Sequence, residues 1–172
     1  DLFALAGRVH LATAGVFDPT IQPLWLATAK GGDILAARAA LGWDRLRISP
    51  EEIRLQPGMA LTFNGIAQGY AADRIAALMR DEGLGNVLID MGEVHALGRR
   101  PDGAPWQAQI ADPKGAALAE LALCDRALAT SSPLGTRIGT GQGHILRPDG
   151  MPPQWQTVAV SVVKEGGPSR DW

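Results

Sequence analysis

The sequence predicts an α+β fold, a mixed or antiparallel sheet with helices packed on one side. Three observations carry that expectation. Apolar residues recur at helical spacing through residues 2–41 and again through 66–79. Short alternating or wholly apolar runs fill much of 45–63 and 86–163. Clusters of Gly, Pro, Asp and Asn cut those runs into pieces of strand length.

Leu2, Leu5, Ala6 and Val9 fall on one helical face, and Thr20 to Ala29 and Asp33 to Leu41 predict two more short helices separated by Gly31-Gly32. After Gly42 the pattern alternates. Arg45 to Ile48, Ile53 to Leu55 and Met59 to Phe63 read as a small three-stranded meander, punctuated by Ser49-Pro50 and Pro57-Gly58. Asn64 is placed to cap a helix whose apolar residues Ile66, Tyr70, Ile75, Leu78 and Met79 repeat about every 3.6 residues until Gly83 ends it. Strands are then expected at Asn86–Asp90, Val94–Leu97, Trp106–Ile110, Ala119–Leu123, Ala127–Thr130, Gly143–Leu146 and Thr157–Val163. No internal repeat or linker divides the chain, so residues 1–172 read as one domain, part of a larger one, since the pattern begins and stops beside ordered-looking segments.

The composition narrows the function. Of 172 residues, 46% are apolar and 20% charged, enough to build a core and too apolar for global disorder. A net charge of −2 with no basic stripe removes the main drive for nonspecific nucleic-acid binding. No apolar run reaches the ~20 residues that span a bilayer. Cys124 is the single cysteine, which excludes an intrachain disulfide, a CxxC pair and a cysteine-based zinc cluster.

Common catalytic signatures are absent: there is no GxGxxG, P-loop, GxSxG or HExxH. Four places carry chemistry instead. Asn64-Gly65-Ile66-Ala67-Gln68-Gly69-Tyr70 puts two glycines at a helix start. There, unpaired N–H groups and the helix dipole suit a phosphate, unless the glycines serve tight packing of that turn. Asp90-Met91-Gly92-Glu93 sets two carboxylates around a glycine turn, as ligand contacts or as solvated turn acids. Ala129-Thr130-Ser131-Ser132 ends a strand in three hydroxyls. His144 follows the glycine-rich stretch 139–143, an arrangement suited to a general base and equally to a surface histidine. His10, His95 and His144 are too widely spaced to propose a local metal site.

In order along the chain, these segments resemble the ApbE-like flavin transferases, FAD:protein FMN transferases with a T-fold-like α+β architecture. Phe17-Asp18-Pro19-Thr20 is similar to that family's FDPT box, and Gly65-Ile66-Ala67-Gln68-Gly69-Tyr70-Ala71-Ala72-Asp73 to its central G-I-A-(K/Q)-G-Y-x-x-D motif. Val87-Leu88-Ile89-Asp90-Met91-Gly92-Glu93, Ala129-Thr130-Ser131 and His144-Ile145-Leu146 resemble its later boxes. The resemblance implies that FAD is split at its pyrophosphate and FMN joined to a Thr or Ser hydroxyl of an acceptor protein, with AMP leaving and magnesium assisting. It implies flavin-nucleotide contacts for Asn64, Gly65, Gln68, Tyr70, Asp73, Asp90, Glu93, Thr130 and Ser131, and His144 as the base. Magnesium ligands are implied at the Gly65 carbonyl and Asp171, and an FAD cleft between helix 65–83 and the loops around Asp90, Ser131 and His144. A periplasmic or outer-face location is implied as well.

The sequence departs from the family pattern in four places. Gln68 stands where many relatives carry Lys, Ser132 replaces a glycine, and Arg147-Pro148-Asp149-Gly150 replaces D-P-R-T-G. The metal-binding A-D-A-x-x-T-A segment is matched only by Asp171. Weak magnesium binding is therefore expected. Three alternatives remain open: an FAD-binding protein without transferase activity, an FAD pyrophosphatase that uses water in place of the acceptor, and a remnant with no ligand.

Overall fold

The computed structural model describes residues 1–163, which form two compact units. The first comprises residues 1–65 and 133–156, and the second comprises 66–132 together with the strand that follows residue 156.

In the first unit, α1 (Leu2–Ala12), α2 (Gln22–Lys30) and α3 (Ile34–Ala39) fall where the apolar spacing places them. Asp1 and Asp33 accept the N–H groups of Ala4 and Ala36 and so start α1 and α3. Gly31, in a left-handed conformation at φ 72°, ends α2. The Phe17–Thr20 segment is a folding knot. Asp18 accepts the N–H and the hydroxyl of Thr20, at 2.8 and 2.6 Å, and caps a 3-10 turn at Pro19–Ile21. The fully buried Thr20 hydroxyl in turn accepts the N–H of Gly42. The Pro19 carbonyl receives the N–H of Thr62, and Phe3 packs edge-on against Phe63 and stacks over Trp43.

The expected meander is smaller than its pattern. Only β1 (Arg47–Ile48) and β2 (Ile53–Arg54) pair. Met59–Phe63 is not a strand, because the bond from Thr62 to Pro19 takes a backbone donor that a ladder would need. The unit is completed by a short hairpin of β8 (Arg137–Ile138) and β9 (Gln142–Gly143). The expected strand at Gly143–Leu146 thus contributes only its first residue.

The second unit is a helix, a sheet and a hairpin in layers. α4 (Ala67–Asp81) ends where Gly83 takes φ 78°. There the N–H of Leu84 reaches the Met79 carbonyl and that of Gly83 reaches Arg80, a Schellman closure. Its start differs from expectation. Asn64 is not the cap: Ile66 occupies that position and offers no side-chain acceptor, while the Asn64 N–H is bonded to Thr62 Oγ1.

The sheet orders β10 (Val158–Val163), β7 (Arg126–Ser131), β4 (Val94–Leu97) and β3 (Val87–Asp90), all antiparallel. Pairing sets the faces, because directly opposed residues share a side and successive ones alternate. Ile89 and Leu97 point to α4, where they pack on Ala72 and Ala76. Ala96 and Leu128 point the other way, onto the hairpin of β5 (Trp106–Ala111) and β6 (Ala117–Leu123), with Leu123 fully buried. The sheet is therefore covered by α4 on one face and by a β-hairpin on the other.

Candidate functional site

The start of α4 presents its first N–H groups without a protein cap. Ile66 accepts none of them by side chain, and no acid occupies the first turn. A helix opening in this way favours an anion. The two glycines of the motif are explained by packing. A Cβ on Gly65 would stand 3.2 Å from the Phe17 ring, and one on Gly69 only 2.8 Å from Glu93 Oε2. The packing reading of the glycines therefore holds at both positions, and the helix start beside them has no side-chain cap.

Gln68 ties this turn to the β3–β4 corner, its Nε2 donating to the Met91 carbonyl at 3.0 Å. Gly92 sits beneath it at φ 89°, where a Cβ would come within 3.1 Å of Gln68 Nε2. Asp90 accepts the N–H of Gly92 at 3.0 Å and closes the corner as an exposed turn acid. Glu93 immediately precedes β4, and its carboxylate lies beside Gly69 of α4. Partial burial pushes its carboxyl above the ordinary glutamate range, and the neighbouring Asp73 carboxylate adds to the shift.

Gln68, Gly69, Asp73 and Glu93 thus share one corner of the second unit, and Tyr70 lies half-buried on the same helix. Beside them a cavity of about 110 Å³ is lined by Gly69, Asp73, Glu93 and His95, with Ala129 and Val160 among its apolar walls. The hydroxyls at the end of β7 divide between the faces. Ser131 shares the side of Ala127 and Ala129, which faces α4, whereas Thr130 shares the side of Leu128. Both are exposed.

His95, which the sequence offers only as one of three widely spaced histidines, is 1% exposed and lies with its Nδ1 3.2 Å from Asp73 Oδ1. A polar residue inside the apolar strand Val94–Leu97, in phase with the helix-facing positions, was the available signal.

In the first unit, His144 follows β9 and is half-buried. Its backbone carbonyl accepts the indole N–H of Trp25 at 3.1 Å, which fixes it to α2. Its Nδ1 stands 3.2 Å from the carbonyls of both Pro133 and Thr136. Carbonyls only accept, so Nδ1 carries the proton and Nε2 is left as the basic nitrogen. Gly143 is required here, since a Cβ would meet the Pro133 carbonyl at 2.5 Å. Arg147 and Asp149 form a forked ion pair within their own turn. Asn64 and Gly65 are exposed at the end of this unit's first segment.

Asp171 lies outside the described residues. Among the described residues no three His, Cys, Asp or Glu side chains gather as a metal shell. No chemical step is assigned to a magnesium ion.

The layered α4–sheet–hairpin unit and the motif at the start of its helix define a class. The sequence model of the ApbE family matches residues 1–169, and the chain belongs to the ApbE family. It is 28% identical over 191 aligned positions to the FAD:protein FMN transferase of Klebsiella pneumoniae and 27% identical over 187 to that of Salmonella typhimurium. Each alignment takes in 95% of this chain and 53% of the relative. Among solved structures, the apo form of the Pseudomonas stutzeri flavinyl transferase ApbE superimposes with a TM-score of 0.77 at 29% identity, over 93% of this chain and 54% of that one. The flavin transferase ApbE of Vibrio cholerae gives 0.77 at 25%, over 94% and 58%. The chain spans about half the length of the curated relatives it matches. The expected α+β, ApbE-like fold is present.

Proposed function

We propose that this chain carries the nucleotide-handling part of a flavin transferase, which moves FMN from FAD to a Thr or Ser hydroxyl of an acceptor protein and releases AMP. The observation that carries the reading is the uncapped, acid-free start of α4 within a motif of this family. The first amides of α4 and the positive end of its helix dipole suit the diphosphate of FAD, whose two adjacent charges otherwise repel an incoming hydroxyl.

Gln68 and Asp90 hold the β3–β4 corner against that helix start. In the proposal, Asp73, Glu93, Tyr70, Thr130 and Ser131 contact the nucleotide, and Asn64 and Gly65 lead the chain into the site. His144 Nε2 takes the proton of the acceptor hydroxyl as its oxygen bonds to the FMN phosphorus and the AMP oxygen leaves. Nδ1 is held protonated by two carbonyls, so the base is presented in the competent tautomer. Magnesium, through Gly65 and Asp171, enters by family resemblance alone. When bound, it would neutralise diphosphate charge. The periplasmic or outer-face location belongs to the same reading.

Incubation with FAD, magnesium and an acceptor bearing a Thr-containing flavinylation sequence tests the proposal. The expected result is an acceptor heavier by one FMN unit together with free AMP. AMP with free FMN and unmodified acceptor would instead make the protein a pyrophosphatase. Bound, intact FAD would make it a binding protein, and no FAD binding would remove the flavin reading. His144→Ala is expected to abolish transfer while leaving FAD affinity within about twofold. Undiminished transfer in that variant would exclude His144 as the base.

A further inference from the structure

His144 is held at three points, all within the first unit. Its backbone N–H donates to the carbonyls of Pro133 and Thr136, each at 3.1 Å, and its ring Nδ1 meets the same two carbonyls at 3.2 Å. Segment 133–136 thus grips one edge of the residue. The other edge, the backbone carbonyl, accepts the indole N–H of Trp25 at 3.1 Å, a contact between positions 119 residues apart in sequence. The amide bonds restrain φ of His144, the ring bonds restrain its side-chain torsions, and the indole bond restrains ψ.

Helix α2 is shaped around this contact. Trp25 lies three and four residues before Thr28 and Ala29, on the same helical face. Gly139, in the turn between β8 and β9, takes φ 53°, and a Cβ there would collide with the Thr28 carbonyl and stand 3.8 Å from the Ala29 Cα. One face of α2 therefore seats the hairpin at its tip through Gly139 and at its exit through Trp25 and His144. Trp25 is half-buried. A leucine or phenylalanine would supply apolar filling there, but only the indole also supplies a donor.

We propose that Trp25 is the positioning residue of the base: by fixing the His144 carbonyl it keeps the ring Nδ1–H on the Pro133 and Thr136 carbonyls and leaves Nε2 bare for the acceptor hydroxyl. The inference rests on the reading of His144 as the base for its effect on transfer, and on the geometry of Trp25, His144, Pro133 and Thr136 alone for the device. Without the indole donor, the peptide after His144 is free to rotate and the ring leaves its two carbonyls. The proton then sits on Nε2 in part of the population, and those molecules have no base at that atom.

The test uses the whole chain with Trp25→Phe and with Trp25 replaced by 3-benzothienylalanine, whose sulfur stands where the N–H was and donates nothing. Each is checked for folding by circular dichroism. Nitrogen-15 spectra of the His144 ring at alkaline pH, where an imidazole is neutral, are the first readout and need no flavin. The wild-type protein is expected to show Nδ1 protonated and Nε2 bare, and both variants a mixture of the two tautomers. Transfer kinetics with FAD, magnesium and an acceptor are the second readout. There kcat is expected to fall about tenfold while KM for FAD stays within about twofold of wild type.

Nε2 protonated in the wild-type ring, or an unchanged tautomer in the benzothienyl variant, overturns the proposal. So does a rise in KM for FAD that matches the fall in kcat, the mark of general damage. If Trp25→Phe does not fold, the benzothienyl variant, equal in shape to the natural side chain, still decides the case. Absence of transfer by the wild-type protein would overturn the flavin-transfer reading, whereas the tautomer spectra would still decide the Trp25–His144 device.

Discussion

Single side chains in this protein do more than one job. Thr20 gives its proton to Asp18 and receives the Gly42 N–H with no exposure to water. Replacing it by Val keeps the volume and strands the Gly42 donor. We expect Thr20→Val to lower unfolding free energy by about 1–3 kcal/mol in chemical denaturation. Glu93 has the opposite character, because its carboxylate form is disfavoured in the folded state by partial burial and by Asp73. Its folded midpoint lies above the unfolded one, so the folded state binds more proton between the two. Stability associated with Glu93 is therefore present at acidic pH and is lost as pH rises through the raised midpoint. Glu93→Gln is expected to raise the melting temperature relative to wild type at pH 7 and to lose that advantage near pH 4. An equal effect at both pH values would show that Glu93 is not strained by its charge.

Among the elements, α4 is the one whose ends set the behaviour of the site. Its two terminal glycines have different physical duties, and alanine separates them. Gly83→Ala forces a side chain to φ 78° and is expected to cost about 1 kcal/mol, read from denaturation midpoints. Gly69→Ala gains helix propensity of about 1 kcal/mol but drives a methyl into the Glu93 carboxylate, 2.8 Å away. Glu93 can swing aside, so stability should change little while FAD affinity falls. A stability loss at Gly69 as large as that at Gly83 would mean the corner is rigid. The β3–β4 turn shows the same economy: Gln68, Asp90 and Gly92 use two hydrogen bonds and one positive φ to lock it to the helix.

At the scale of the whole molecule, the chain reads as a member of the ApbE family in two compact units, and much of this was visible in residue order. The helix end at Gly83 and most of the strands were legible, because apolar period and glycine placement directly encode them. Met59–Phe63 was misread as a strand because its alternation serves packing around Pro19 and Phe3, which only tertiary contact reveals. Asn64 was misread as a cap because the turn after it runs on to Ile66 before the helix begins. Of the candidate site, the clustering of Gln68, Asp73 and Glu93 could not be seen in spacing alone. It arises from the register that lays β4 against α4, as does the burial of His95.

The central claim is that the first amides of α4 receive a nucleotide diphosphate. The most direct measurement is a nitrogen-15 amide spectrum recorded while ADP, and separately FAD, is added to the wild-type chain. The account predicts that the Ala67, Gln68 and Gly69 resonances move first and farthest with both ligands, and that riboflavin, which lacks phosphate, leaves them in place. Saturable FAD binding with those three amides unmoved would contradict it.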